Sequence, residues 1–490
     1  MSYQFRDPIH GMIEVSDQEI KLISHPTFQR LRYIHQLGTS YLVYHGADHC
    51  RFGHSLGVMQ LISRAMDSLH RRGYLDSLCE SEFKRLRQIA RLIGLLHDVG
   101  HGPFSHVGED SGLYPEMTDF HGRGTDIGHE VYTRLLVRDH FGTIIDEEFK
   151  HLDITRNDIL MFLSGRVSDK RYHFLKSLIS GQLDADRMDY LLRDSYYCGV
   201  QYGKYDLHRI LDTMCICCPD QESDFGWQLG IESDGIHAVE EFIFARYWMF
   251  IQVYFHKTRR IYDYYLVNHV KSMLRDDDKT TFPTNLNEYL SWADYRVLHA
   301  IERKGKEGHK WAANLYHRKH LKEAFVSKPH HETDEKKDEL DRVAWVIVQV
   351  KQKFLSEYND GLLFIDQAKT STSKSLIDIP LLAPDAISDE DEKMKVYAIP
   401  VLDKHDKKLR AIQDYSLSIQ NITDKKVNIL RVYATEELKE NVRDFCYHAF
   451  NIGYDEYKLD LESKKKTFQE LGQYLAQEAQ AEQERKSLYK

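Results

Sequence analysis

From Ile93 to His106 the chain reads I-G-L-L-H-D-V-G-H-G-P-F-S-H, which puts His97, Asp98, His101 and His106 within ten residues. Neutral imidazole and carboxylate are common nitrogen and oxygen donors to a divalent metal, so the adjacent His97-Asp98 pair suits such a site. Two neighbouring side chains cannot complete a coordination shell, and further donors must come from elsewhere. A lone His-Asp reads more simply as a polar helix end. With His101 and His106 behind it, the reading moves to a metal or catalytic centre.

Two other stretches offer donors. His54 shares a helical face with Val58, Leu61 and Ala65, where a histidine is ordinarily a packed core residue. Arg51, three residues earlier, changes that balance, because a cation beside a metal-type histidine suits a phosphate ester. Residues 178–194 bring Asp184, Asp186, Arg187, Asp189, Tyr190, Arg193 and Asp194 within three helical turns. Some of these charges are ordinary i,i+4 surface pairs. Asp186, with Arg187 and Tyr190 beside it, is a carboxylate that could close a His/His-Asp shell.

The elements that must position these groups are mostly helical. Leu86, Ile89, Leu92, Ile93 and Leu96 recur at helical spacing, so an amphipathic helix delivers His97-Asp98 at its C-terminal end, and Gly100, Gly102 and Pro103 break it. A short hairpin, 4–5 with 12–15, is expected to turn on Asp7-Pro8 and Gly11. Phe28, Leu31, Ile34 and Leu37 form a helix stripe, with Arg30 and Arg32 off it as solvated charges or anion contacts. His121 and His129 follow, His129 at an expected helix start. Residues 236–270 read as one long, aromatic, buried helix interrupted by Arg246, Tyr254, His256 and Lys257.

Further helices are expected to about 326, then a charged linker or solvated helix start over 327–342. A smaller α+β lobe follows over 343–456, with strand patterns at 361–365, 395–400 and 427–433 and an acidic break at 388–393. The segment 457–490 is a Lys/Glu/Gln-rich helical tail. The expected fold class is therefore mainly α, a helical core over 1–326 with an α+β C-terminal lobe.

At 490 residues the chain is too long for one simple core. Its 42% hydrophobic and 29% charged residues describe a globular protein, and the net charge of −10 gives no general attraction to nucleic acid. Phosphate binding must come from a local cluster of Arg, Lys and His. Seven cysteines are too unevenly placed for a disulfide framework, and Cys215-Ile-Cys-Cys218 lacks the second pair a zinc site needs. The N-terminus has no apolar leader and the chain no 18-residue apolar run, so a cytoplasmic protein without a membrane partner is expected.

Five ordered stretches carry a resemblance: D-P-I-H-G-M-I-E, F-Q-R-L-R-Y-I-H-Q-L-G, R-F-G-H-S-L-G-V, H-D-V-G-H-G-P-F-S-H and D-A-D-R-M-D-Y. With them the chain resembles the HD-domain metal phosphohydrolases, and more narrowly the deoxynucleoside triphosphate triphosphohydrolases. The resemblance is dense over residues 5–260, thinner to about 326 and faint around N-I-L-R-V-Y-A. No SAM domain is expected in front.

The resemblance implies His54, His97, Asp98 and Asp186 as ligands of a divalent metal (Mn, Mg, Fe, Co or Zn). It implies His129 as the acid that protonates the leaving 5′-oxygen, with His101 and His106 flanking the α-phosphate and Glu109 assisting the histidines. Arg51, Arg187, Arg246 and Lys257 would hold the phosphates. Gln36, Tyr190 and Asp194 would grip the sugar 3′-hydroxyl, and Leu37 and Tyr254 would press on sugar or base. The implied reaction converts a dNTP to deoxynucleoside and inorganic triphosphate, in a homo-oligomer (tetramer or hexamer) with an activating nucleotide near Gln29 and Arg32.

Departures limit the transfer. Ser24-His25-Pro26 stands where the family's activator site has an Asp, Glu109 where an Asp often assists, and Phe250 at a usually polar position. The alternatives are an HD phosphohydrolase acting on monophosphates, cyclic dinucleotides or alarmones, a single-strand nuclease or nucleic-acid binder, and a nucleotide sensor. A sensor would show eroded ligands. Gly112-Leu-Tyr-Pro115 differs in sequence and context from the HD-GYP signature.

Overall fold

The computed structural model describes residues 2–118, 125–167, 169–217, 226–329, 337–371, 376–380, 393–397, 399–423 and 426–453. The C-terminal tail, His121 and Cys218 lie outside them. The chain divides into two compact units, Met1–His317 with Thr372–Asp424, and Arg318–Ser371 with Lys425–Lys490.

The first unit is mainly helical. Helix α1 (Arg51–Arg71) and helix α2 (Glu80–Leu96) pack side by side, with Leu56, Met59, Leu92, Leu95 and Leu96 in one buried cluster. Gly94 permits the approach, since a Cβ there would sit 2.6 Å from Ile62 Cδ1. A capping box starts α2, with Cys79 N donating to Glu82 Oε2 at 3.0 Å. Helix α3 (His129–Leu136) begins at His129 itself, and helix α4 (Ala185–Cys198) is capped by Asp184, which accepts from Arg187 N at 2.7 Å. Gly199 ends α4 in the left-handed region, φ +70°.

The expected hairpin forms as Ser2–Asp7 paired antiparallel with Gly11–Ser16. Two helical expectations do not hold. The stripe from Phe28 to Leu37 is one turn of α-helix (Pro26–Gln29) and a 3-10 turn (Arg30–Tyr33), after which Ile34 is extended. Arg30 is the physical reason. It is buried, and donates Nη1 to His101 O at 2.8 Å and Nη2 to Trp292 O at 2.6 Å, so it is neither solvated nor anion-facing.

The long helix over 236–270 is two: helix α5 (Ile236–Met249), a π-helical turn (Phe250–Tyr254) and helix α6 (Lys257–Asp276). The chain breaks at His256, which is extended and caps α6 through Nδ1, accepting from Thr258 N at 3.2 Å.

A four-stranded sheet completes the first unit in the order Leu409–Ala411, Pro400–Leu402, Gln228–Glu232, Met214–Cys217. Pro400–Leu402 runs parallel to Gln228–Glu232, with Val401 opposite Ile231. This pairing overturns the expected cut: residues 399–423 belong to the first unit and not to a lobe over 343–456. Of the expected linker over 327–342, residues 330–336 lie outside the described residues, and the helix Lys337–Lys353 begins within the span.

The second unit is α+β. Its antiparallel sheet has Lys426–Ala434 between Lys322–Val326 and Leu363–Ser371, and its core joins Val346 and Val350 to Leu430, Val432, Val442 and Cys446. No helix among the described residues is long and apolar enough to cross a membrane.

Candidate active site

The loop after α2 is held by its backbone. Gly100 N donates to Thr133 Oγ1 at 3.0 Å, Tyr289 Oη donates to Gly100 O at 2.6 Å, and Gly102 N donates to Tyr114 Oη at 3.0 Å. Phe104 and Ser105 both take φ +59°, a left-handed conformation that costs about 1–3 kcal/mol for such residues. Asp294 secures the turn by accepting from Phe104 N at 2.7 Å and from His35 N at 2.8 Å. Rigid backbone therefore fixes where His97, Asp98 and His101 point.

Four side chains converge from α1, α2 and α4. His54 Nε2 lies 3.0 Å from Asp186 Oδ1 and 3.5 Å from Asp98 Oδ2. His97 Nε2 lies 3.3 Å from Asp98 Oδ1 and 4.0 Å from Asp186 Oδ1. The outer nitrogens are anchored: His54 Nδ1 is 2.7 Å from Asp189 Oδ2, and His97 Nδ1 is 2.8 Å from Gly94 O. Those acceptors put the proton on Nδ1 and leave both Nε2 lone pairs facing inward.

Both Nε2 atoms are buried and face only the carboxylates of Asp98 and Asp186 across the site, which is the arrangement a metal ligand needs. Burial opposes charge on His54, but the carboxylates of Asp186 and Asp189 outweigh it and lift its pKa to about 10, so without a cation Nε2 carries a proton toward Asp186 that a bound metal would displace. The same negative field favours a divalent cation between the imidazoles. Burial works against the Asp98 charge too, yet Arg51, which donates Nη1 to Asp98 Oδ2, holds its carboxyl well below the ordinary range. His54, His97 and Asp98 bring donor atoms within 4.8 Å of one another, which fits a divalent metal, and Asp186 Oδ1, 3.0 Å from His54 Nε2, is a further carboxylate donor beside them.

A second group adjoins the first. His101 Nε2 lies 3.4 Å from Asp98 Oδ1, and the His101 ring stacks on His129 with centroids 3.6 Å apart. Glu109 joins two histidines, with Oε2 2.7 Å from His106 Nδ1 and Oε1 hydrogen-bonded to His129 Nδ1. Burial alone would raise the Glu109 pKa, but His106 and His129 hold it far below the carboxylate range. Burial, then the nearby Arg51 and His129, keep His101 neutral.

Both groups open on one cavity of about 560 Å³, lined at this end by Arg51, His97, Asp98, His106, His129 and Asp186. Gln36 and Tyr190 form part of its wall, with Arg134 and Lys176 on the remainder. Gln36 is buried and its Oε1 meets no donor; Arg51 Nη2 meets no acceptor. Arg187 and Arg246 do not line the cavity; both lie beside Tyr190, which does.

The other expected contacts lie apart from the lining. Asp194 is buried, with its oxygens taken by His49 Nε2 and Tyr254 Oη, each at 2.8 Å. Leu37 is buried and outside the lining, and Lys257 is exposed at the start of α6. Gln29 and Arg32 bond to each other, Arg32 Nε donating to Gln29 Oε1 at 2.8 Å, while the Arg32 guanidinium lies 3.5 Å over the Phe52 ring.

Sequence reasoning missed the group behind His54. Asp189 accepts from Arg193 through both oxygens (2.8 and 2.9 Å) and contacts His10 Nε2 at 2.6 Å, while Arg193 Nη1 reaches Asp7 Oδ2 at 2.9 Å. Gly57 makes room, since a Cβ there would lie 1.9 Å from Asp189 Oδ1. Asp7, His10 and Asp189 all stand within the quoted motifs, which was the available signal. Lys176 and Arg134 carried no such signal.

Comparison with known proteins places this site in a family. A model described as HD domain matches residues 51–194, and one described as HD associated region matches 206–460, just over half of the chain. The chain belongs to the HD-domain family with its associated region.

The uncharacterized protein YwfO of Bacillus subtilis (strain 168) is 40% identical over 259 residues, 52% of this chain and 52% of that protein. The deoxynucleoside triphosphate triphosphohydrolase SAMHD1 of Homo sapiens is 32% identical over 234 residues, 44% of this chain and 36% of that protein. The chain thus spans about half or less of the length of these curated relatives. A crystal structure of a phosphohydrolase from Bacteroides thetaiotaomicron VPI-5482 superposes with TM-score 0.64 at 26% identity, over 89% of this chain and all of that one. A hypothetical protein from Aquifex aeolicus gives 0.68 at 26% identity over 91% of this chain and all of that one.

Proposed function

We propose that the protein is a metal-dependent triphosphohydrolase that cleaves a dNTP to deoxynucleoside and inorganic triphosphate. The observation that carries this reading is the convergence of a divalent-metal donor set and a Glu109-anchored His129 on one cavity with Arg51, Arg134 and Lys176 in its wall. The similarity to a deoxynucleoside triphosphate triphosphohydrolase supports the substrate class.

His54, His97, Asp98 and Asp186 would hold the cation. When bound, it supplies Lewis acidity, lowering the pKa of water and polarising a phosphoryl oxygen. The chain's own residues do the rest. Water attacks the α-phosphorus and releases a proton to solvent as the new P–O bond forms, the bond to the 5′-oxygen breaks, and the proton that oxygen needs comes from His129. Glu109 holds His129 by Nδ1, so Nε2 is the nitrogen that delivers it. His101, kept neutral, adds no positive charge to compete with the cation. Arg51 Nη2 offers a donor to the phosphates, and Gln36 Oε1 an acceptor for the 3′-hydroxyl. Tyr190 in the cavity wall would reject the extra hydroxyl of a ribose.

The test is turnover of each dNTP singly, of all four mixed, and of ribonucleotides, in Mn²⁺ or Mg²⁺, with His97→Ala/Asp98→Ala as the blank. Deoxynucleoside plus intact triphosphate, absent from the blank, is the expected result. No turnover in any combination rejects the dNTP reading and leaves other phosphoesters for the same blank. Homo-oligomer formation and an activating nucleotide belong to this proposal. Higher rates in the mixture than with single dNTPs, and a mass above the monomer by light scattering, are the results that support them.

A further inference from the structure

A second cavity, of about 340 Å³, opens in the first unit where α6 meets the helices Asp294–Lys306 and Lys310–Tyr316. It shares no lining residue with the catalytic cavity. His269 lies in its wall, 2% exposed, with an Nε2 that meets no partner. Such an atom costs free energy unless something satisfies it. Around it stand Arg275, Lys304, His309, Lys310 and Trp311.

The one lining carboxylate is Asp276, and Lys304 pairs with it. Three fixed cations therefore face one carboxylate, on a chain whose net charge is −10. Trp311 gives a flat apolar wall, held against Tyr264 and Tyr265 at 5.4 and 5.9 Å between centroids. The lining thus combines a buried, unsatisfied imidazole, a local excess of positive charge and one aromatic face.

We propose that this cavity is a second anion site, taking a phosphoryl group on a small carrier. His269 Nε2 bonds to the phosphoryl group, Arg275 and Lys304 neutralise it, and the carrier lies toward Trp311. Burial, with Lys304 beside it, brings the His269 pKa down to about 4, so the ring is neutral near pH 7 and acts through a hydrogen bond, not a charge. The volume is near the lower end of small-molecule sites, about 300–1,000 Å³. It exceeds the need of a lone phosphate and admits a short polyphosphate or a nucleoside monophosphate. The carrier is therefore inorganic or a nucleoside, and the phosphoryl chemistry is common to both.

The test is calorimetric titration of the full chain with inorganic phosphate, inorganic triphosphate and a nucleoside monophosphate in separate arms, with tryptophan fluorescence recorded alongside. Saturable binding with a Kd below about 1 mM is expected in at least one arm. Arg275→Glu should weaken it at least about tenfold, as should His269→Phe, which keeps a ring in the core. The fluorescence change should vanish in Trp311→Phe. Binding in the phosphate or triphosphate arm identifies an inorganic source, and tighter binding of the monophosphate a nucleotide.

Absence of saturable binding in every arm overturns the proposal. So does binding that survives Arg275→Glu but is lost in His97→Ala/Asp98→Ala, because the anion then sits in the catalytic cavity. Neither result bears on whether the catalytic cavity hydrolyses dNTPs.

Discussion

His54 and His97 have their outer nitrogens tied to Asp189 and Gly94 and their inner nitrogens bare, whereas His106 and His129 are tied to each other through Glu109. The two groups meet at Asp98, which lies within 3.5 Å of His54, His97 and His101. Under the proposed function, the difference follows from what each group would do. A ligand nitrogen needs a fixed tautomer and a lone pair with no competing donor. A histidine that passes a proton needs a carboxylate to orient it and steady its charge. One stretch, 97–106, contributes to both because glycine and left-handed turns send successive side chains in different directions.

Removing a member of each group separates the two roles most sharply. Asp98→Ala takes away the carboxylate common to both, and leaves Arg51 buried without its partner. Activity should fall by at least ~10³-fold, with metal content by plasma mass spectrometry near background. His129→Ala should keep its metal while kcat falls by about 10²–10³-fold. If His129→Ala lost metal as fully as Asp98→Ala, the division into a binding group and a proton-transfer group would be wrong.

Asp189→Asn probes the anchor alone. Asparagine retains the shape but offers His54 Nδ1 one neutral acceptor and weakens the bonds from Arg193. Metal affinity should fall about 10–100-fold, measured by competition with a chelator. Activity restored by excess metal is expected. An unchanged affinity would remove Asp189 from the site and reduce it to a fold-stabilising residue.

The parts of this arrangement visible in the sequence are those where chemistry is local. His97-Asp98 is adjacent, and the apolar spacing from Leu86 to Leu96 delivers it at a helix end, as observed. Asp186 stands out by its neighbours, and the strand patterns at 361–365 and 427–433 become two strands of the second unit's sheet. Asp189 was harder to read, because with Arg193 it has the i,i+4 spacing of a surface pair. The approach of α1 at Gly57, with Asp7 and His10 of the N-terminal segment, buries that pair.

Arg30 is illegible in the sequence for the same kind of reason: its partners are carbonyls 71 and 262 residues away. Periodicity cannot see such partners, so it continues a helix that a buried guanidinium bends. The parallel pairing of Val401 with Ile231 is equally nonlocal, and it moved a domain boundary.

The smallest expected effect tests the other side of the comparison. Glu109→Gln keeps one acceptor for the histidines and removes the charge between them. Because the folded-state pKa of Glu109 is depressed, its contribution to stability is fully present above its ordinary value of 4.5 and declines as pH falls below it. Gln does not titrate. The native chain should therefore be more stable than Glu109→Gln at pH 5.5, and the difference in unfolding free energy should narrow by ~1 kcal/mol at pH 4.0. Metal content should match the native chain at both values. A gap that stayed constant across that interval would mean that Glu109 is not charge-paired with His106 and His129 in the folded state. The proton-transfer group would then lack the feature that distinguishes it from the ligands next to it.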